Sequence, residues 1–124
     1  MDRTVHIFDT RSMTARERWP SCLKYECAGI KLSQEIPGMV YVCSVDNEVA
    51  CGAWSAKMAD HLKSTATGSE SLMMSGANTK SPRRAFGFRG DVRLTGITRR
   101  NDGSEEIAVM SEAGAFYLLR RQRN

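Results

Sequence analysis

The sequence predicts a single α/β domain of the α+β type, built on a five-stranded, mainly antiparallel sheet with helices on both faces. The predicted order is helix, strand, strand, helix, strand, strand, strand. Three observations predict it: three alternating apolar runs near the C-terminus, two adjacent apolar runs mid-chain, and two segments with apolar residues spaced by three and four. At 124 residues, 41% of them hydrophobic, the chain has the size and composition of one globular domain.

The first predicted element is a helix that starts at Ser21, because a serine hydroxyl can cap a helix N-terminus. Residues 1–20 show no sustained period and are predicted to be an N-terminal extension, which leaves residues 21–124 as the folded domain. Pro37 and Gly38 are expected to end the helix. Its apolar stripe comprises Leu23, Cys27, Ile30 and, less regularly, Gln34.

A hairpin follows, because residues 39–45 and 48–54 are rich in β-branched and small apolar side chains and are separated by Asp46 and Asn47. Beyond it, Trp54, Met58 and Leu62 recur at helical spacing. These predict an amphipathic helix from about Ser55, which ends at Gly68 or continues to Gly76.

The last three strands are predicted as a meander over residues 91–121. Its two links contain glycine, at Asp102–Gly103 and at Gly114, and neither has room for a helix. One predicted face carries Val92, Leu94, Ile107, Val109, Phe116 and Leu118. The opposite face carries Ile97, Ala108, Met110, Tyr117 and Leu119. Because both faces are partly apolar, we expect helices to cover each of them.

The charge and the cysteine content bear on which partners, metals and cofactors the chain can bind. The net charge of +4 lies mainly in residues 80–84, in Arg99–Arg100 and in the C-terminal arginines, where it indicates solvated loops or binding to nucleic acid or an acidic partner. The four cysteines lack zinc-site spacing, so we expect no metal, no cofactor and mostly buried free thiols. The sequence also predicts no membrane span and a cytoplasmic location.

The element order, residues 36–46 and the meander resemble the roadblock family of dynein light chains, with profilin-like and longin-like domains as related architectures. The resemblance covers about residues 21–121. It implies a non-enzymatic scaffold subunit, cytoskeletal or ciliary in place, that forms a homodimer or heterodimer with a second roadblock-like subunit. It also implies a partner such as an acidic or amphipathic dynein intermediate-chain helix, or a small GTPase. Mapped onto this chain, the dimer surface uses Met58, Leu62, Val92 and Leu94.

The sequence also bears on two other function classes, RNA-binding domains and enzymes. Arg84–Phe88 is similar to the aromatic strand of RNA-recognition-motif domains, which implies a small basic RNA-binding domain with Tyr41, Phe86 and Phe88 as the stacking platform. For an enzyme, no phosphate loop, no nucleophile elbow and no combination of nucleophile, base and orienting group can be named. We therefore predict no catalytic residues.

Overall fold

The computed structural model describes residues 3–55, 57, 84–103 and 105–120, and these residues form nine β-strands. The strands are β1 (Val5–Asp9), β2 (Thr14–Trp19), β3 (Cys27–Leu32), β4 (Met39–Ser44), β5 (Glu48–Ala53), β6 (Arg84–Arg89), β7 (Leu94–Arg99), β8 (Glu106–Ser111) and β9 (Phe116–Arg120).

The strands form three antiparallel sheets: the hairpin β1-β2, the central sheet β3-β4-β5-β6 and the C-terminal sheet β7-β8-β9. The predicted hairpin over residues 39–54 is confirmed as β4 and β5, and the predicted meander is confirmed as the C-terminal sheet. Gly103 and Gly114 have φ angles of 84° and 81° in the two links of the meander. Glycine suits both positions because a side chain is strained there.

The predicted α/β fold is wrong, because residues 3–55, 84–103 and 105–120 contain no helix and are mostly strand. The helix expected from Ser21 is a loop followed by β3, in which Ile30 and Leu32 pair with Val42 and Val40 of β4. Long-range strand pairing outweighs the weak local helical pattern here. The second predicted helix lies almost entirely outside the described residues. Among the residues described, no helix is long and apolar enough to cross a membrane.

β4 and β5 are buried on both faces, which explains why successive residues along each strand are mostly apolar instead of alternating with polar ones. One face joins the C-terminal sheet in the inter-sheet core, formed by Met39, Tyr41, Cys43, Val49, Cys51, Leu94, Ile107 and Val109. The other face packs under the N-terminal hairpin in the hairpin core, formed by Val5, Trp19, Cys22, Leu23, Val40, Val42 and Ala50. Within the segment expected as an extension, β1 and β2 therefore cover this face of the central sheet, and Trp19 of β2 is fully buried.

Gly29 of β3 lies close against Ile97 of β7. A Cβ atom at Gly29 would lie 2.8 Å from Cγ2 of Ile97 and 3.4 Å from Sγ of Cys43. Real Cβ atoms essentially never come as close as the first distance. The two sheets can therefore pack at this depth only because residue 29 has no side chain.

Candidate functional site

The outer face of the C-terminal sheet points away from the inter-sheet core, and its side chains form three rows across the strands. Strand register defines them as Gly96–Met110–Phe116, Thr98–Ala108–Leu118 and, at one end, Glu106–Arg120. The backbone N–H of Arg100 donates to the carbonyl of Glu106, which brings Arg100 to the same end. Two rows of small and apolar side chains thus adjoin one charged row.

The two apolar rows are open to solvent. Phe116 and Leu118 are each 66% exposed and Met110 is 43% exposed. A groove of about 250 Å³ runs between Gly96, Thr98, Met110 and Phe116. A Cβ atom at Gly96 would meet nothing within 4 Å, so the groove has free space at that point. A contiguous apolar surface of this kind commonly marks an interaction site.

The charged row presents guanidinium groups to solvent. Arg120 Nη2 lies 2.6 Å from Glu106 Oε1, and Arg100 Nη1 lies 3.1 Å from Glu106 Oε2. The arginine side chains are 72% and 58% exposed, whereas that of Glu106 is 11% exposed. Hydrogen bonds from Arg120 and then from Arg100 hold the pKa of Glu106 below its usual value. Glu106 pairs with both arginines, and Arg100 Nε also lies 2.5 Å from Asp102 Oδ2. Each guanidinium has five N–H donors, so both arginines keep donor capacity beyond these pairs.

The predicted dimer surface is only partly placed by the structure. Leu94 is 3% exposed and belongs to the inter-sheet core, so its side chain already packs within its own chain. Val92 is half-buried just before β7. Met58 and Leu62 lie outside the described residues. The four residues are therefore not brought together as one surface in the part of the chain that the structure describes.

Of the aromatic residues proposed for RNA stacking, Tyr41 is buried and Phe88 is half-buried. The Tyr41 ring is 2% exposed, and Phe88 packs on Tyr117 with 5.1 Å between ring centroids. β5 separates β4 from β6, so Tyr41 and Phe88 are not on neighbouring strands. The backbone of Phe86 pairs with Cys51, and its side chain lies outside the described part. Base stacking needs an exposed ring face, which Tyr41 lacks.

Tyr41 instead joins the two main sheets. Its hydroxyl donates to Glu105 Oε1 at 2.6 Å, and Glu105 Oε2 accepts the backbone N–H groups of Gln34 and Glu35 at 3.3 Å each. Glu105 immediately precedes β8 and is 6% exposed. The carboxylate is compensated by three donors, as a buried charge must be.

Sequence reasoning did not find the outer face because it assigned Phe116 and Leu118 of β9 to the wrong face of the sheet. The prediction placed Phe116 and Leu118 on the same face as Ile107 and Val109. The link between β8 and β9 pairs Met110 with Phe116 and Ala108 with Leu118, so they share the outer face. The usable signal was the length of that link, which fixes the register of a hairpin.

The four cysteines are all free thiols, and three of them are buried. Cys43 and Cys51 are diagonal neighbours across the hairpin β4-β5, because Cys43 pairs with Val49 and Cys51 with Tyr41. The close pair is Cys22 and Cys27, whose Sγ atoms are 3.8 Å apart. Within the described residues, no three His, Cys, Asp or Glu side chains converge as a metal site.

Comparison with protein-family models, with curated proteins and with solved structures finds no match to this chain.

Proposed function

We propose that the chain is a binding module rather than an enzyme, a scaffold or adaptor subunit that binds an acidic, amphipathic segment of a partner protein on the outer face of the C-terminal sheet. The observation that carries the proposal is the pair of uncovered apolar rows, with Phe116 and Leu118 each 66% exposed. Covering apolar surface is the main favourable term in protein association. A docked partner would remove both rows from water.

The charged row determines which partner fits. A segment lying along the apolar rows reaches Arg100 and Arg120 at one end, and the N–H donors that these exposed side chains have left suit carboxylates. The net charge of +4 favours an acidic partner at longer range.

The test is a selection of peptides that bind the purified protein from a displayed library of amphipathic sequences with varied acidic content. We expect the selected peptides to combine apolar and acidic residues and to bind more weakly as salt increases. An analogue with each Glu replaced by Gln should also bind more weakly. The Leu118→Lys variant should lose at least about tenfold in affinity, because Leu118 lies in an apolar row.

Leu32 supplies the matched control. It is a strand leucine with a comparable exposure of 58%, but it lies on β3 of the central sheet. Leu32→Lys should leave peptide binding unchanged. Equal losses in the two variants, or unchanged binding in both, would contradict the docking face. A stable dimer by light scattering that Leu118→Lys dissociates would show that a second copy covers the face instead.

The dynein and GTPase partners implied by the roadblock resemblance stay predictions, as does the cytoplasmic location. Neither is needed for the binding role proposed for the outer face.

A further inference from the structure

Two cysteine thiols, those of Cys22 and Cys27, lie close together on the side of the central sheet that faces the N-terminal hairpin. Cys22 follows Ser21, whose positive φ of 51° turns the chain after β2, and Cys27 is the first residue of β3. The intervening four residues return the chain so that the two Sγ atoms lie 3.8 Å apart. A disulfide requires about 2.05 Å, so the sulfurs must approach by about 1.8 Å to bond.

The two thiols have unequal surroundings. Cys22 is 1% exposed, and its N–H and Sγ both contact the carbonyl of Arg3, at 3.1 and 3.2 Å. Cys27 is exposed. The shared hydrogen bond with Cys27, followed by burial, raises the pKa of Cys22. An oxidant in solution therefore meets Cys27 first, with Cys22 behind it as a protonated thiol.

We propose that Cys22 and Cys27 are a redox modification site, in which a hydroperoxide oxidises Cys27 and Cys22 resolves the product to an intramolecular disulfide. The exposed thiol, the buried thiol behind it and the short distance between them are the arrangement that such chemistry needs. This site is separate from the outer face of the C-terminal sheet, and its test does not depend on the proposed binding function.

The chemistry balances with hydrogen peroxide as the oxidant. The Cys27 thiolate attacks one peroxide oxygen, the O–O bond breaks, and the departing hydroxide takes up a proton to become water. The sulfenic acid on Cys27 is then attacked by Cys22 Sγ. The S–S bond forms as the S–O bond breaks, and the departing hydroxide takes the Cys22 proton and leaves as a second water. Two thiols and one peroxide thus give one disulfide and two waters.

Peptide mapping of the full-length protein tests the site directly. The reduced protein is treated with hydrogen peroxide, quenched, denatured and alkylated with iodoacetamide. Two of the four cysteines should resist alkylation, and the intact mass before alkylation should fall by two hydrogen atoms. Trypsin cleaves after Lys24, between the two cysteines, so the digest should contain residues 19–24 linked to residues 25–31. Alkylation of all four cysteines, or a link that uses Cys43 or Cys51, would overturn the proposal.

Variants test the order of the steps. The Cys43→Ala/Cys51→Ala double variant should form the disulfide at the wild-type rate. Cys22→Ala should accumulate sulfenic acid on Cys27, trapped by dimedone, whereas Cys27→Ala should leave Cys22 reduced at the same peroxide dose. Oxidation of Cys22 at the wild-type rate in Cys27→Ala would overturn the assigned roles. If a variant fails to fold, the wild-type peptide map decides alone.

Discussion

Replacement of Tyr41 by phenylalanine should destabilise the protein through the loss of one buried hydrogen bond. The Tyr41 hydroxyl donates to Glu105 Oε1 at 2.6 Å, and both residues are buried. Tyr41→Phe keeps the ring and its packing but removes this donor from a carboxylate that has little access to water. Hydrogen bonds to charged groups contribute about 1.5–3 kcal/mol, so the free energy of unfolding should fall by about that amount.

Urea unfolding followed by tryptophan fluorescence and circular dichroism measures this loss. For a chain of this size the corresponding fall in Tm is about 5–15 °C. Tyr117→Phe is the matched control, because the Tyr117 hydroxyl accepts only a long contact of 3.5 Å from the exposed backbone N–H of Asp91. It should change stability by no more than about 0.5 kcal/mol. Equal effects of the two substitutions would refute the role of Tyr41 as a buried donor between the sheets.

Three further predictions test the packing, the charged row and the docking face. Gly29→Ala should lower the free energy of unfolding by about 1–3 kcal/mol, because its Cβ would overlap Ile97. Gly96→Ala should be neutral or slightly stabilising, and equal effects of the two substitutions in urea unfolding would contradict this account of the sheet contact. The wild-type protein should be more stable than Glu106→Gln above the ordinary Glu pKa of 4.5, and this difference in stability should shrink as the pH falls through the lowered pKa of Glu106. A difference in urea midpoint that stays constant with pH would contradict the ion pairs of Glu106. Gly96→Val should fill the groove and weaken binding of the selected peptide without loss of stability, and unchanged binding by fluorescence anisotropy would remove the groove from the docking face.

The β-structure that the sequence predicted correctly is the part specified by local signals. β4, β5 and the three strands of the meander have alternating or β-branched runs and turn residues such as Gly103 and Gly114 at their links. Both signals act within a few residues of the strands they define.

The layers could not be predicted, because they depend on pairing between distant segments. β3 carries spacing compatible with a helix and becomes a strand through its partners on β4. A bulge between Leu94 and Gly96 lets Leu94 and Ile97 both face the inter-sheet core, although strict alternation places them on opposite faces. The sheet predicted to need helices on both faces is covered on its inner face by strands.

The candidate site was missed for the same reason. Met110, Phe116 and Leu118 were recognised as strand residues, but only the register shows that they share one face with Arg120. Two of the site residues chosen from the sequence, Leu94 and Tyr41, are buried in the core and are not available to a partner. An apolar alternation identifies a strand, and its register decides which apolar residues remain exposed.

Chemical-shift mapping by NMR with the selected acidic peptide tests the docking face most directly. In a titration of isotopically labelled protein, the amide resonances of β7, β8 and β9 should shift, with the largest changes around Met110, Phe116, Leu118 and Arg120. The amides of the hairpin β1-β2 should not respond. Shifts confined to that hairpin or to β3 would show that the partner binds elsewhere and that the outer face of the C-terminal sheet is not the binding site.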